Sequence, residues 1–167
     1  GPGDFERIIE GNGGRSNAYT TFDSTVYYEN LPSGMLNKII DVEADRMSNL
    51  LLEEKSFESE RLVVLEERKM RYENSPMGKL FLKMMKTVFK ETPYGGSVIG
   101  DVKDLKSLSR EQVREFFKIF YRPNNAIIVI TGDVDAKKVY QKVKKHFGEL
   151  APSTDLAKIK NQLESGK

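Results

Sequence analysis

The stretch Phe57–Pro76, FESERLVVLEERKMRYENSP, decides how this chain is read. It holds no helix breaker before Asn74, and it places Glu60 and Glu67 seven residues apart, on a stripe that also carries Val63 and Val64. Seven residues are two helical turns, so both carboxylates point the same way, toward whatever that apolar stripe packs against. A carboxylate aimed into a core requires a cation, a proton or a hydrogen-bond partner, because burying it bare is too costly. The pattern predicts a helix that starts after Ser56 as N-cap. It ends near Asn74, where Ser75-Pro76 opens the next helix. Two aligned acids of this kind are half of a metal site.

Outward from this helix, the elements separate by period. On the amino-terminal side, Asp4–Glu10 reads as a short helix with Phe5, Ile8 and Ile9 on one side and Gly11 as its stop. GNGGRS is a glycine-rich turn, and NAYTTFDSTVYYENL is a β-hairpin around an Asp23-Ser24 turn. Met35–Leu52 carries Leu36, Ile39, Ile40, Met47, Leu50 and Leu51 at helical spacing. On the carboxyl-terminal side, Leu80, Phe81, Met84 and Val88 define the helix after Pro76, and TPYGGSVIGDVKDL is loop-like. Ser109 with Gln112 forms a capping box for a helix bearing Val113, Phe116, Phe117 and Phe120. AIIVITG, Ala126–Gly132, is a continuous β-branched run that predicts a buried central strand. Asp135 caps a further helix with Val139, Val143 and Phe147, stopped by Gly148. Residues 151–167 read as a polar tail or the start of an interdomain linker, with helical character at Leu156, Ile159 and Leu163. The whole predicts an α+β domain over residues 1–150, with a mixed or antiparallel sheet and helices packed on one face.

Composition narrows the chemistry. The 167 residues fit one domain with a real core, and 27 Lys plus Arg against 25 Asp plus Glu give no reason to expect nucleic acid or an anionic membrane. There is no cysteine, hence no disulfide scaffold and no thiolate zinc site, and there is one histidine, His146. No apolar run approaches the ~18 residues of a membrane span. The chain contains no targeting segment and starts GPGDF without a Met, as a cut rather than initiated chain would. Its compartment, cytoplasmic or exported, stays open.

Each site residue also has a purely structural reading. Glu67 can pair with Arg71 at i+4 on a solvated helix, and Glu60 can serve the dipole of the first turn. His146 sits near a helix end, where a cation is favourable. GNGG is no phosphate loop, since no Lys-Ser/Thr follows and the next element is a strand. The methionines of LKMMK fill a core.

Four segments in order resemble one family, the pitrilysin/insulinase-type zinc peptidases (peptidase family M16) that include the mitochondrial processing peptidase. GGRSNAYTTFDSTVYYENLP is similar to the stretch following the family's zinc motif, and FESERLVVLEERKMRYENSP to its helix with distal glutamates. TPYGGSVIGDVKDLKSLSREQVREFFKIFYRPNNAIIVITGDVD is similar to the segment that closes its sheet, and VKKHFGEL to the helix end after it. By that resemblance Glu67 corresponds to the third zinc ligand and Glu60 to a supporting carboxylate that assists catalysis without binding the metal. Arg15–Thr21 corresponds to the edge strand that receives the peptide, with Asn17, Ala18 and Tyr19 as substrate contacts. The resemblance implies Zn2+ as cofactor, an unfolded peptide or presequence as substrate, and a second homologous domain or subunit as partner.

The departure matters as much. The family's motif is H-x-x-E-H, two imidazole ligands and a glutamate base, and none occurs in the 167 residues. In relatives the motif's second histidine lies about seventy-five residues before the distal glutamate, which runs past Gly1 here. The chain is therefore expected to bind zinc weakly and to be inactive alone. Two explanations stand: a trimmed piece of an active zinc metalloendopeptidase, or a non-catalytic, substrate-presenting or structural relative. Keeping both Glu60 and Glu67 favours the first.

Overall fold

The computed structural model describes residues 3–164. It is an α+β chain: α1 (Asp4–Glu10), β1 (Arg15–Thr20), β2 (Thr25–Asn30), α2 (Leu36–Asn49), α3 (Glu54–Arg68), α4 (Pro76–Val88), α5 (Val102–Ser107), α6 (Arg110–Phe120), α7 (Ala136–Phe147) and α8 (Asp155–Glu164). β1 and β2 form a two-stranded antiparallel hairpin. The chain divides into two compact units.

The first unit draws on residues 3–16, 29–51 and 111–164. Its core is Ile40 and Ala44 of α2 against Phe147 of α7, flanked by Leu36, Met47, Ile130, Val143 and Leu150. The spacing of Leu36, Ile40, Ala44 and Met47 along α2, and of Val143 and Phe147 along α7, turns one face of each helix toward the other. Burying a side chain the size of Ile40 or Phe147 contributes about 1.5–3 kcal/mol. α7 begins as the sequence predicts: Asp135 accepts hydrogen bonds from the backbone N–H groups of Lys137 and Lys138, at 3.0 and 3.1 Å. Helical character in the tail is realised as α8.

The run Ala126–Gly132 is not a buried strand. Ile127 is 93% exposed and Val129 78%, whereas Ile130 leans on the core. The alternation of a strand survives without its pairing. A strand is held by hydrogen bonds to neighbours, and among the described residues no strand lies beside it.

The second unit draws on residues 17–28 and 52–110. α3 starts at Glu54 with Glu53 as N-cap, so Ser56 lies inside the first turn rather than capping it. The helix then widens into a π-turn, Lys69–Glu73, that ends at Asn74. Ser75 caps α4, its hydroxyl accepting from the Gly78 N–H at 3.1 Å, with Pro76 in the first turn. Gly78 is required by close approach: a Cβ there would lie 2.1 Å from the Arg71 carbonyl oxygen and 2.8 Å from the Tyr72 Cα. The segment read as loop after Thr92 contains a 3-10 turn, Pro93–Gly95, and then α5. The hairpin tip is Phe22-Asp23 rather than Asp23-Ser24, closed by the Thr21 N–H donating to the Ser24 carbonyl at 2.8 Å.

Candidate functional site

α3 and the π-turn after it carry a covered stripe and, beside it, a more exposed one. Phe57, Arg61, Val64, Leu65, Arg68 and Tyr72 are the covered side. Glu60, Val63, Glu67 and Met70 form the other, where Val63 is 57% and Met70 65% exposed. Glu60 and Glu67 do share one direction, but it leads away from the covered face, not into the core that the sequence suggests. Phase explains the difference: Arg61 and Arg68, one residue after each acid, take the inward positions. Glu60 is exposed, and Glu67 is half-covered with its carboxylate 2.7 Å from Arg71 Nη2.

Arg68 fixes this phase, and sequence reasoning missed it. It is a buried charged side chain, 7% exposed. Nε donates to the Gly100 carbonyl at 2.7 Å, Nη1 to Glu73 at 2.7 Å and Nη2 to Asp101 at 3.3 Å. A buried guanidinium with one partner removed is strongly destabilising, so the helix cannot rotate about its axis without losing this set. Nearer the start of α3, Arg61 donates to the carbonyls of Lys106 and Leu108. Each arginine has acids near it in the sequence, yet the backbone carbonyls that they reach, of Lys106, Leu108 and Gly100, lie more than thirty positions away, which no local pattern announces.

Asn17, Ala18 and Tyr19 lie in β1 and are exposed. The Thr21 N–H points toward β2. Since N–H groups alternate along a strand, the Ala18 N–H points to the open edge. There the side chain of Asn17 accepts its hydrogen bond at 2.8 Å. β1 thus has β2 on one side and no strand on the other among the described residues. Tyr19 and Tyr28 sit diagonally across the hairpin on one face, ring centroids 6.4 Å apart.

His146 is paired with Asp41 of α2, Nε2 to Oδ1 at 3.2 Å, and Lys142 flanks the same carboxylate at 3.9 Å. Among the described residues no group of three or more His, Cys, Asp or Glu converges to hold a metal. Glu67 offers a single carboxylate, already met by Arg71, so the donor set of the chain does not by itself fit zinc. Among the described residues no helix is long and apolar enough to cross a membrane.

Comparison with known proteins agrees along the whole length. The family model Insulinase (Peptidase family M16) matches residues 2–102, and the Peptidase M16 inactive domain matches residues 107–166. The zinc protease PqqE of Helicobacter pylori is 38% identical over 148 residues, covering 89% of this chain and 33% of that protein. The mitochondrial-processing peptidase subunit beta of Saccharomyces cerevisiae is 27% identical over 149 residues, covering 89% and 32%. A crystal structure of a protease from Helicobacter pylori superposes with a TM-score of 0.87 at 37% identity, covering 92% of this chain and 36% of that one. The chain spans about a third of the length of the curated relatives it matches.

Proposed function

Because the chain belongs to peptidase family M16, the insulinase family of zinc metallopeptidases, we propose that it is part of a zinc-dependent endopeptidase acting on unfolded peptides or presequences. Residues 1–150 form part of the amino-terminal peptidase domain, and 151–167 lead toward a second homologous domain or subunit. Glu67 is one carboxylate ligand of the zinc, the other ligands coming from an H-x-x-E-H segment that the 167 residues do not contain. Glu60, two turns earlier on the same stripe, supports that site from outside the ligand set. The outer edge of β1, at Asn17, Ala18 and Tyr19, receives the peptide as an added strand. Main-chain pairing suits an enzyme that accepts extended peptides with little regard to side chains.

The observation that carries this reading is the outward stripe of α3. It presents two acids and two exposed apolar side chains on a helix whose phase a buried arginine fixes. An uncovered apolar stripe with aligned carboxylates suits a further element of the protein seated against it.

The contrast between the acids tests the assignment. In the full-length protein, Glu67→Gln is expected to lose zinc and activity together, because a neutral amide is a poor ligand. Glu60→Gln is expected to lower the rate while keeping the metal. Metal analysis finding both variants fully loaded would return Glu67 to a simple pair with Arg71.

A further inference from the structure

The hairpin that carries β1 is tied down at its tip. The Tyr94 hydroxyl donates to Asp23 Oδ1 at 2.6 Å. Phe22 stands edge-on to the Tyr94 ring, centroids 5.3 Å apart and planes at 70°. Phe89 lies against the same ring at 6.2 Å. All of these residues belong to one compact unit. Both ends of the connection are themselves fixed. Tyr94 sits in the 3-10 turn Pro93–Gly95, whose start Thr92 caps by accepting from the Tyr94 N–H at 3.3 Å. Gly95 lies so close to the end of α4 that a Cβ on it would be 2.6 Å from the Phe89 carbonyl. On the hairpin side, Thr21 Oγ1 accepts from the N–H groups of Asp23 and Ser24, at 3.3 and 3.1 Å.

A two-stranded ribbon is marginally stable in water unless something else holds it. An edge that must order itself when a peptide arrives adds that entropy to the cost of binding. An edge already held straight does not.

We propose that Tyr94, through Asp23, is a positioning residue for peptide binding: the clamp holds the hairpin tip so that the open edge of β1 is preformed. The proposal rests on the reading of β1 as the peptide-binding strand. Tyr94 acts on the far end of the hairpin, five residues along the chain from Ala18, and touches no part of the bound strand. The hydrogen bond to Asp23, with the charge of that carboxylate, pushes the Tyr94 phenol up from its ordinary pKa, so the hydroxyl remains a donor through the neutral range.

The test uses the full-length protein and an extended, internally quenched peptide. Tyr94→Phe keeps the ring contacts with Phe22 and Phe89 and removes only the hydroxyl. It is expected to raise amide hydrogen exchange across the hairpin and to raise KM about fivefold, the factor that one hydrogen bond of ordinary strength supplies. kcat and zinc content are expected to hold. Asp23→Asn keeps an acceptor for the hydroxyl and is expected to retain most of the wild-type KM. Unchanged hairpin exchange in Tyr94→Phe would overturn the clamp. Ala18→Pro separates the remaining failures. If it raises KM and Tyr94→Phe does not, the peptide lies on β1 without needing the clamp, and the proposal is wrong. If neither variant alters KM, the peptide lies elsewhere, and the reading of β1 falls together with the clamp.

Discussion

Glu67 and Arg71 face each other across one turn where α3 passes into the π-turn, a carboxylate oxygen 2.7 Å from a guanidinium nitrogen. Arg71 is largely solvent-accessible and Glu67 is half-covered, so the pair contributes little to stability, on the order of 0.5 kcal/mol. Arg71→Ala is expected to move the urea midpoint of the chain only marginally. In the full-length protein it is expected to leave zinc affinity equal or higher, because the arginine competes with the metal for the same oxygen. A large loss of stability, above about 1.5 kcal/mol, would make the pair a structural element and weaken the case for Glu67 as a ligand.

The 167-residue chain on its own is expected to hydrolyse nothing. One carboxylate with a second acid two turns away cannot rival three convergent ligands, and no base stands ready to activate water. The check is an extended fluorogenic peptide incubated with purified chain and zinc at micromolar concentration. Chelator-sensitive turnover would show that the chemistry needs no H-x-x-E-H segment.

Ala18→Pro is expected to weaken peptide binding or turnover in the full-length protein while leaving zinc content intact. Proline removes the outward N–H that Asn17 now occupies, and it leaves the inward bonds of Thr21 to Ser24 in place. Natural edges are commonly blunted with charge or proline. Between Arg15 and Thr21 only Arg15 is charged and no proline occurs. Wild-type KM and kcat in a folded Ala18→Pro variant would move the peptide off this strand.

Glu29 supplies a prediction about pH. Burial first, and then the neighbouring Glu43 carboxylate, push its pKa above the ordinary 4.5, while Arg46 draws it partly back. Among the described residues one oxygen of Glu43 is itself buried without a hydrogen-bond partner, so the two acids share a crowded site. A carboxyl with a higher pKa when folded binds more protons in the folded state, and its contribution to stability is lost as pH rises through that raised value. Glu29→Gln is therefore expected to melt at a higher temperature than the wild type at pH 7, with the difference shrinking as pH falls through the raised value and vanishing below about 4.5. Melting curves that stay parallel across this range would show that Glu29 ionises freely.

Local signals carried much of the fold. α1 runs Asp4–Glu10 as the apolar spacing and Gly11 predict, Ser75-Pro76 starts α4, Asp135 caps α7, and the hairpin falls where aromatic and β-branched residues flank a short polar turn. These features depend on backbone geometry within a few residues, so composition and spacing suffice to fix them. The family was legible for a related reason: four segments kept their order and spacing along the chain, and the family matches agree.

What the sequence left undetermined all depends on partners distant along the chain. Ala126–Gly132 has the composition of a central strand, yet a strand exists only where another strand meets its N–H and C=O groups, and among the described residues no strand pairs with it. The rotation of α3 was equally hidden. Spacing placed Glu60 and Glu67 on one stripe, but could not say which way that stripe faces. Arg68, reaching the Gly100 carbonyl, Glu73 and Asp101, settles it by claiming the inward position and turning the acids outward. Helical period is a property of consecutive residues, and so the sequence determined which side chains share a face. Phase is set by what the helix packs against, and only the tertiary structure could decide that.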